Sequence, residues 1–307
     1  DPNSLSTDGT VAVKSISFSN DGRYFAYVIS RSGSDWEEIY VKDVATGKLL
    51  DDHIVWAKFT NATWRGDGFY YSAYDAPEKG LETSAKNEVQ KVYYHRIGTP
   101  QSDDVLFYQN PAQPLRFYGV GLNDEETLMF LTESGMDQGY NLYVRDLRVA
   151  DSQFIQMTAD ASKTYSPVEM IGDSIYILTN QGAPRYRLMV ADVRKPGMTD
   201  WHEVVGEQDG VLQDVLFLPA DRMILTYSKD NCTEAWLYSV KGERLSRIEL
   251  PTFGSASFSG SRKQDECFFS FTSYTVPTTI YRFDPATGKS QVESQPKVNV
   301  RLNDYTT

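Results

Sequence analysis

Ile39-Tyr-Val-Lys-Asp-Val-Ala-Thr-Gly47 is a short alternating strand closed by a polar turn. The same shape returns at Val92-Tyr-Tyr-His-Arg-Ile-Gly98, Leu142-Tyr-Val-Arg-Asp-Leu147 and Leu188-Met-Val-Ala-Asp-Val193. It returns twice more, at Ala235-Trp-Leu-Tyr-Ser-Val240 and Ile280-Tyr-Arg-Phe-Asp-Pro-Ala-Thr-Gly288. The first positions are 53, 50, 46, 47 and 45 residues apart (92−39, 142−92, 188−142, 235−188, 280−235). A period of about 40 to 50 residues built only from strands points to propeller blades.

Each copy is flanked by more strands. Lys14-Ser-Ile-Ser-Phe-Ser19 alternates and meets Asn20-Asp-Gly22, a hairpin signal, before the return strand Arg23–Ile29. Lys48-Leu-Leu50 begins a fourth strand, so one repeat has the strand content of a blade. The same reading places blades near 11–52, 55–109, 115–158, 165–206, 211–250 and 255–294. Helical periodicity of useful length is missing throughout, so the class is all-β: a β-propeller of four-stranded blades, six of them in this sequence. Asp75 to Gln90 is a long polar loop, of a length that is often functional.

Composition agrees. Aromatic residues make up 13% of the 307 positions, with Tyr 20 and Phe 15, which suits strands. The formal net charge is −12, which argues against nucleic acid as a partner because phosphate repels an acidic surface. No apolar run approaches the roughly 18 residues that a membrane-spanning helix needs. Cys232 and Cys267 are the only cysteines, too few for a disulfide framework, and Cys267 reads as a small buried residue.

Candidate chemistry is sparse. There is no Gly-x-Ser-x-Gly elbow to expose a serine nucleophile. His53, His95 and His202 are scattered over three repeats without metal-ligand spacing and read as structural. Gly119-Val-Gly121 lacks the third glycine and the helix of a dinucleotide fingerprint. No cofactor and no metal are expected.

The loops resemble a known family. Leu5-Ser-Thr-Asp-Gly-Thr-Val-Ala12, Phe25-Ala-Tyr27, Ser32-Gly-Ser-Asp-Trp36 and Thr63-Trp-Arg-Gly-Asp-Gly68 carry the likeness. So do Tyr93-Tyr-His-Arg-Ile-Gly-Thr-Pro-Gln-Ser-Asp-Asp104, Thr179-Asn180 with Pro184-Arg-Tyr-Arg-Leu188, and Phe271-Thr-Ser273. As a set they resemble the β-propeller domain of the prolyl oligopeptidase (prolyl endopeptidase) family.

That resemblance implies a seven-bladed propeller capping an α/β-hydrolase domain. The hydrolase carries a Ser-Asp-His triad and cleaves short peptides after proline, and the propeller filters substrates by size. Against this pattern the sequence is expected to start after the first blade, with residues 1–297 as propeller and 298–307 as the start of a linker to the absent hydrolase. On its own it is expected to be inactive. The implied partners are the hydrolase domain of the same parent chain and short proline-containing peptides, with self-association through exposed blade edges. The parent is expected to be soluble, in the cytoplasm or periplasm.

Carried over by motif, Phe59 in Val55-Trp-Ala-Lys-Phe59, Phe117, and Met136 in Gly135-Met-Asp137 are the substrate-binding candidates. The family's substrate-gripping arginine would fall near Glu133, where no arginine stands. The alternative reading is a free-standing propeller that binds a protein or carbohydrate partner, since one fold hosts many functions.

Overall fold

The turn that ends the quoted strand explains how each repeat reverses. Asp43 Oδ1 accepts hydrogen bonds from the Thr46 backbone N–H at 2.8 Å and from its hydroxyl at 2.6 Å. Gly47 then takes φ 67°, a left-handed conformation that glycine adopts without steric cost, and its N–H returns to the Asp43 carbonyl. The sixth repeat uses the same device, with Asp284 bonded to Thr287 and Gly288 at φ 70°. Both aspartates are held below the usual carboxylate range, first of all by the threonine hydroxyl.

The structure, a computed structural model, describes residues 5–82, 84, 86–136 and 139–297. The expected linker at 298–307 lies outside the described residues. The chain is all-β and forms two compact units, Asp1–Ser162 and Lys163–Thr307.

In the first unit, β1 (Val11–Phe18), β2 (Tyr24–Arg31), β3 (Glu37–Asp43) and β4 (Leu49–Ala57) pair antiparallel in sequence order. β5 (Thr63–Arg65), β6 (Gly68–Ala73), β7 (Lys91–Arg96) and β8 (Val105–Gln109) form the second blade. β4 runs on to Ala57, where it pairs with Ala73 of β6, so the first two blades are one hydrogen-bonded eight-stranded sheet. β9 (Phe117–Leu122), β10 (Leu128–Ser134), β11 (Tyr140–Asp146) and β12 (Ile155–Gln156) make the third.

The second unit holds three more four-stranded sheets. They are β13 (Tyr165–Ile171), β14 (Ser174–Thr179), β15 (Arg187–Asp192) and β16 (His202–Val205); β17 (Val211–Leu218), β18 (Arg222–Lys229), β19 (Cys232–Ser239) and β20 (Arg244–Ile248); and β21 (Ser255–Ser261), β22 (Gln264–Thr272), β23 (Thr279–Asp284) and β24 (Lys289–Ser294).

Within each unit, neighbouring sheets bury faces against one another. Ala26, Val28, Ile39, Val41 and Ile54 of the first blade pack on Trp64, Phe69 and Tyr71 of the second. Alternation along a strand puts these residues on one face, and full burial of each large side chain contributes about 1.5–3 kcal/mol. On the fifth and sixth blades, Ile224, Leu237 and Ile248 meet Phe258, Cys267, Phe269, Phe271 and Phe283. Cys267 is fully buried, as the sequence suggests, and burial pushes its thiol pKa up to about 11. In β1, by contrast, Ile16 and Phe18 are exposed. Among the described residues no helix is long and apolar enough to cross a membrane.

Candidate functional site

Two of the three substrate-binding candidates meet. The Phe59 and Phe117 rings lie edge to face, 5.1 Å between centroids at 72°. Phe59 stands in the short connection from β4 to β5, and Phe117 opens β9. They are 58 residues apart in sequence, so only the packing of the second blade on the third brings them together. Phe59 remains 52% exposed, so its ring is at a surface.

The connection that presents Phe59 is strained. Trp56 has φ 58° and Phe59 has φ 53°. Bulky L-residues avoid the left-handed region, so each such residue costs on the order of 1–3 kcal/mol and persists only where its surroundings enforce it. Here they do. The Thr60 N–H donates to Glu37 Oε2 at 3.1 Å, and the Thr60 hydroxyl accepts from the Ser72 N–H at 2.7 Å. The Lys58 carbonyl accepts from Gln90 Nε2 at 2.8 Å. Burial pushes the Glu37 carboxyl pKa up, and the Thr60 N–H offsets part of that rise.

A cation sits beside this pair. Lys58 Nζ is 5.4 Å from the Phe59 ring centre and 5.3 Å from that of Trp36, and 3.4 Å from Asp35. Trp36 meets Trp56 edge-on at 5.3 Å and donates its indole N–H to the Glu82 carbonyl. Ser32-Gly-Ser-Asp-Trp36 therefore belongs to the same end of the first unit as Phe59. Sequence reading did not assign Lys58, Trp36 or Trp56 to the site, although their composition, aromatic with a basic residue, was a usable signal.

Met136 occupies the turn after β10 and is 97% exposed. Its strand is the neighbour of β9, with Ser134 opposite Phe117. Met136 thus lies two residues beyond the pair that contains Phe117, while Asp137 is outside the described residues. Glu133 is buried and accepts from Asn141 Nδ2 at 3.0 Å. Burial first, and Glu133 second, raise the Tyr143 hydroxyl pKa to about 12. A guanidinium does reach this turn, from Arg116, the residue before β9. A side chain placed on Gly135 would come within 2.6 Å of Arg116 Nη1, so glycine leaves Arg116 its room.

The histidines stand apart from this end. His53 stacks on Tyr40 at 4.4 Å and bonds to Glu38, and His202 is exposed in β16. His95 is fully buried in β7 between two carboxylates, with Nδ1 2.7 Å from Asp104 Oδ1 and Nε2 3.0 Å from Asp52 Oδ1. A neutral imidazole has one N–H, and two carboxylates require two, so the ring is held as the cation. Burial opposes that charge, but Asp104 and then Asp52 outweigh it, and the His95 pKa is raised. Gly98 N–H donates to Asp52, and the Tyr71 hydroxyl to Asp104, each at 2.6 Å.

The family described as prolyl oligopeptidase, N-terminal beta-propeller domain, matches residues 1–296. A prolyl endopeptidase of Elizabethkingia meningoseptica is 33% identical over 307 residues, covering 99% of this chain and 43% of the relative. Prolyl oligopeptidase A of Galerina marginata is 30% identical, covering 97% of this chain and 44% of its own length. Among solved structures, prolyl oligopeptidase B from Galerina marginata, bound to a 35mer hydrolysis and macrocyclization substrate, superposes with TM-score 0.89 at 26% identity. That superposition covers 99% of this chain and 45% of the neighbour. The chain spans less than half the length of the curated relatives it matches.

Proposed function

Because the chain belongs to the prolyl oligopeptidase N-terminal β-propeller family, we propose that it is the non-catalytic propeller domain of a prolyl-specific serine endopeptidase. In this reading it caps the active site of an α/β-hydrolase domain in the same parent chain and admits short proline-containing peptides by size. Residues 1–297 form the propeller domain, and residues 298–307 begin the connection to the hydrolase.

The observation that carries the proposal is the family match over residues 1–296. The edge-to-face pair of exposed Phe59 and half-buried Phe117, with Phe59 held in a strained connection, supports a role in peptide contact, because strain in bulky residues persists where surrounding bonds enforce it. Phe59, Phe117 and the exposed thioether of Met136 provide an adaptable apolar surface for a peptide side chain. Arg116, beside Gly135, puts a guanidinium in the turn that follows Glu133, the place where the family's arginine would fall.

The test is kinetic. In the full-length protein that contains this chain, Phe59→Ala and Met136→Ala should each raise KM for a short proline peptide by about three- to tenfold, the scale of losing one apolar contact of about 0.7–1.4 kcal/mol. Unchanged kinetics for both would remove the site assignment. Proline-specific cleavage by the purified chain alone would overturn the non-catalytic role.

A further inference from the structure

We propose that Gln90 is a positioning residue for the Phe59–Phe117 pair. The inference rests on the peptide-contact reading of that pair and adds the residue that sets its spacing.

Gln90 ends the polar loop that connects β6 to β7, yet it is fully buried. Both ends of its amide are used, and on different segments. Nε2 donates to the carbonyl of Lys58, the residue before Phe59, at 2.8 Å. Oε1 accepts from the N–H of Tyr118, the residue after Phe117, at 2.6 Å. One side chain therefore ties together the backbone flanking the two rings. Gln101 shows the ordinary alternative: its amide bonds the N–H and the carbonyl of one residue, Val55.

The chemistry admits few substitutes. The Lys58 carbonyl needs a donor and the Tyr118 N–H needs an acceptor, and a primary amide presents both. Ionised glutamate cannot donate, methionine has no donor and only a weak acceptor, and asparagine is one methylene short of spanning the gap. The backbone before Gln90 is itself held in an unfavourable shape. Val89 is β-branched with φ 57°, and its N–H donates to the Pro114 carbonyl at 2.7 Å. The segment leading to Phe117 is thus fixed to the Gln90 loop at Pro114 as well as at Tyr118.

A bond to Tyr118 also seals the free edge of β9, beside the Ser72 hydroxyl that donates to the Tyr118 carbonyl. A purely structural role would end there, so the test must separate the two. In the full-length protein, Gln90→Met and Phe59→Ala are made singly and together. Turnover is measured with a blocked Ala-Gly-Pro peptide bearing a chromogenic amide. Positioning predicts that Gln90→Met raises KM by about three- to tenfold with kcat nearly unchanged, and adds little once Phe59 is gone. Multiplicative effects, an unchanged KM, or equal loss in kcat and kcat/KM would overturn it. If Phe59→Ala alone leaves KM unchanged, the peptide-contact reading fails instead. Should Gln90→Met not fold, Gln90→Asn is read in the same cycle with the same expected non-additivity, because it keeps the amide but cannot reach both partners.

Discussion

The second and sixth blades place different chemistry at the same point of the repeat. His95 stands three residues after Val92, and Phe283 three residues after Ile280. Each lies on the third strand of its blade, opposite Phe69 and Cys267 respectively, and each is buried. Phe283 meets Phe258 edge-on at 6.3 Å, in a core of rings and aliphatic side chains. His95 also touches a ring, Phe69 at 5.2 Å, but is clamped by Asp52 of β4 and by Asp104 just before β8. The apolar contact excludes water and tolerates small shifts. The charged one is directional: it fixes the end of the first blade to the second through atoms that must meet within hydrogen-bond distance. Specificity gained this way is costly when incomplete, because a buried charge that loses its partner has nothing to replace it.

The largest effect is expected from His95→Leu. Two carboxylates would then face each other in a site closed to water. The expected loss is about 3–5 kcal/mol, read from the denaturant midpoint. Combining His95→Phe with Asp52→Asn and Asp104→Asn copies the apolar arrangement while leaving acceptors for Gly98 and Tyr71. That triple variant should recover most of the loss, since replacing a whole buried ion cluster is often close to neutral. A triple variant no more stable than His95→Leu would mean that the charged hydrogen bonds themselves, and not only the cost of stranding two carboxylates, hold the blades together.

The next effect is in pH dependence. His95 has a folded pKa above its ordinary value, so the folded state binds the proton more tightly than the unfolded chain. Its contribution is full below the ordinary imidazole pKa and is lost as the pH rises through the raised folded value. Stability of the native chain should therefore fall as the pH rises above the ordinary imidazole value. The difference between native chain and triple variant isolates this slope from other groups. A flat difference profile would remove the imidazolium assignment.

The same contrast shows what the sequence made legible. The strand repeat was visible because alternation and the Asp-x-x-Thr-Gly turns are local: Asp43 and Thr46 are three residues apart. The blade architecture and the burial of Cys267 followed from patterns of that range. His95 could be read as structural, but its charge could not, because Asp52 is 43 residues away and invisible to spacing rules. Gln90 was hidden for the same reason: it closes a run of polar loop residues, and only partners 32 and 28 residues distant make it a buried one. Phe59 and Phe117 entered through family resemblance, whereas the Lys58, Trp36 and Trp56 surroundings required the fold.

The smallest effect completes the pair. Phe283→Leu puts the same residue at the same repeat position as His95→Leu, but into a core with no charge to strand. Losing ring volume there costs about 1–2 kcal/mol, below a full truncation to alanine because leucine refills most of the space. It should add no pH slope. Cys267 offers an internal readout, since it lies opposite Phe283 and burial holds its thiol pKa up at about 11. Labelling of Cys267 by a thiol reagent should remain slow in Phe283→Leu, with half-exposed Cys232 as the reference. A loss as large as that of His95→Leu would show that position in the repeat, and not the chemistry placed there, sets the cost. A twofold or greater gap between the two free energies keeps charge as the deciding difference, because both variants end in the same leucine and differ only in what each leaves behind.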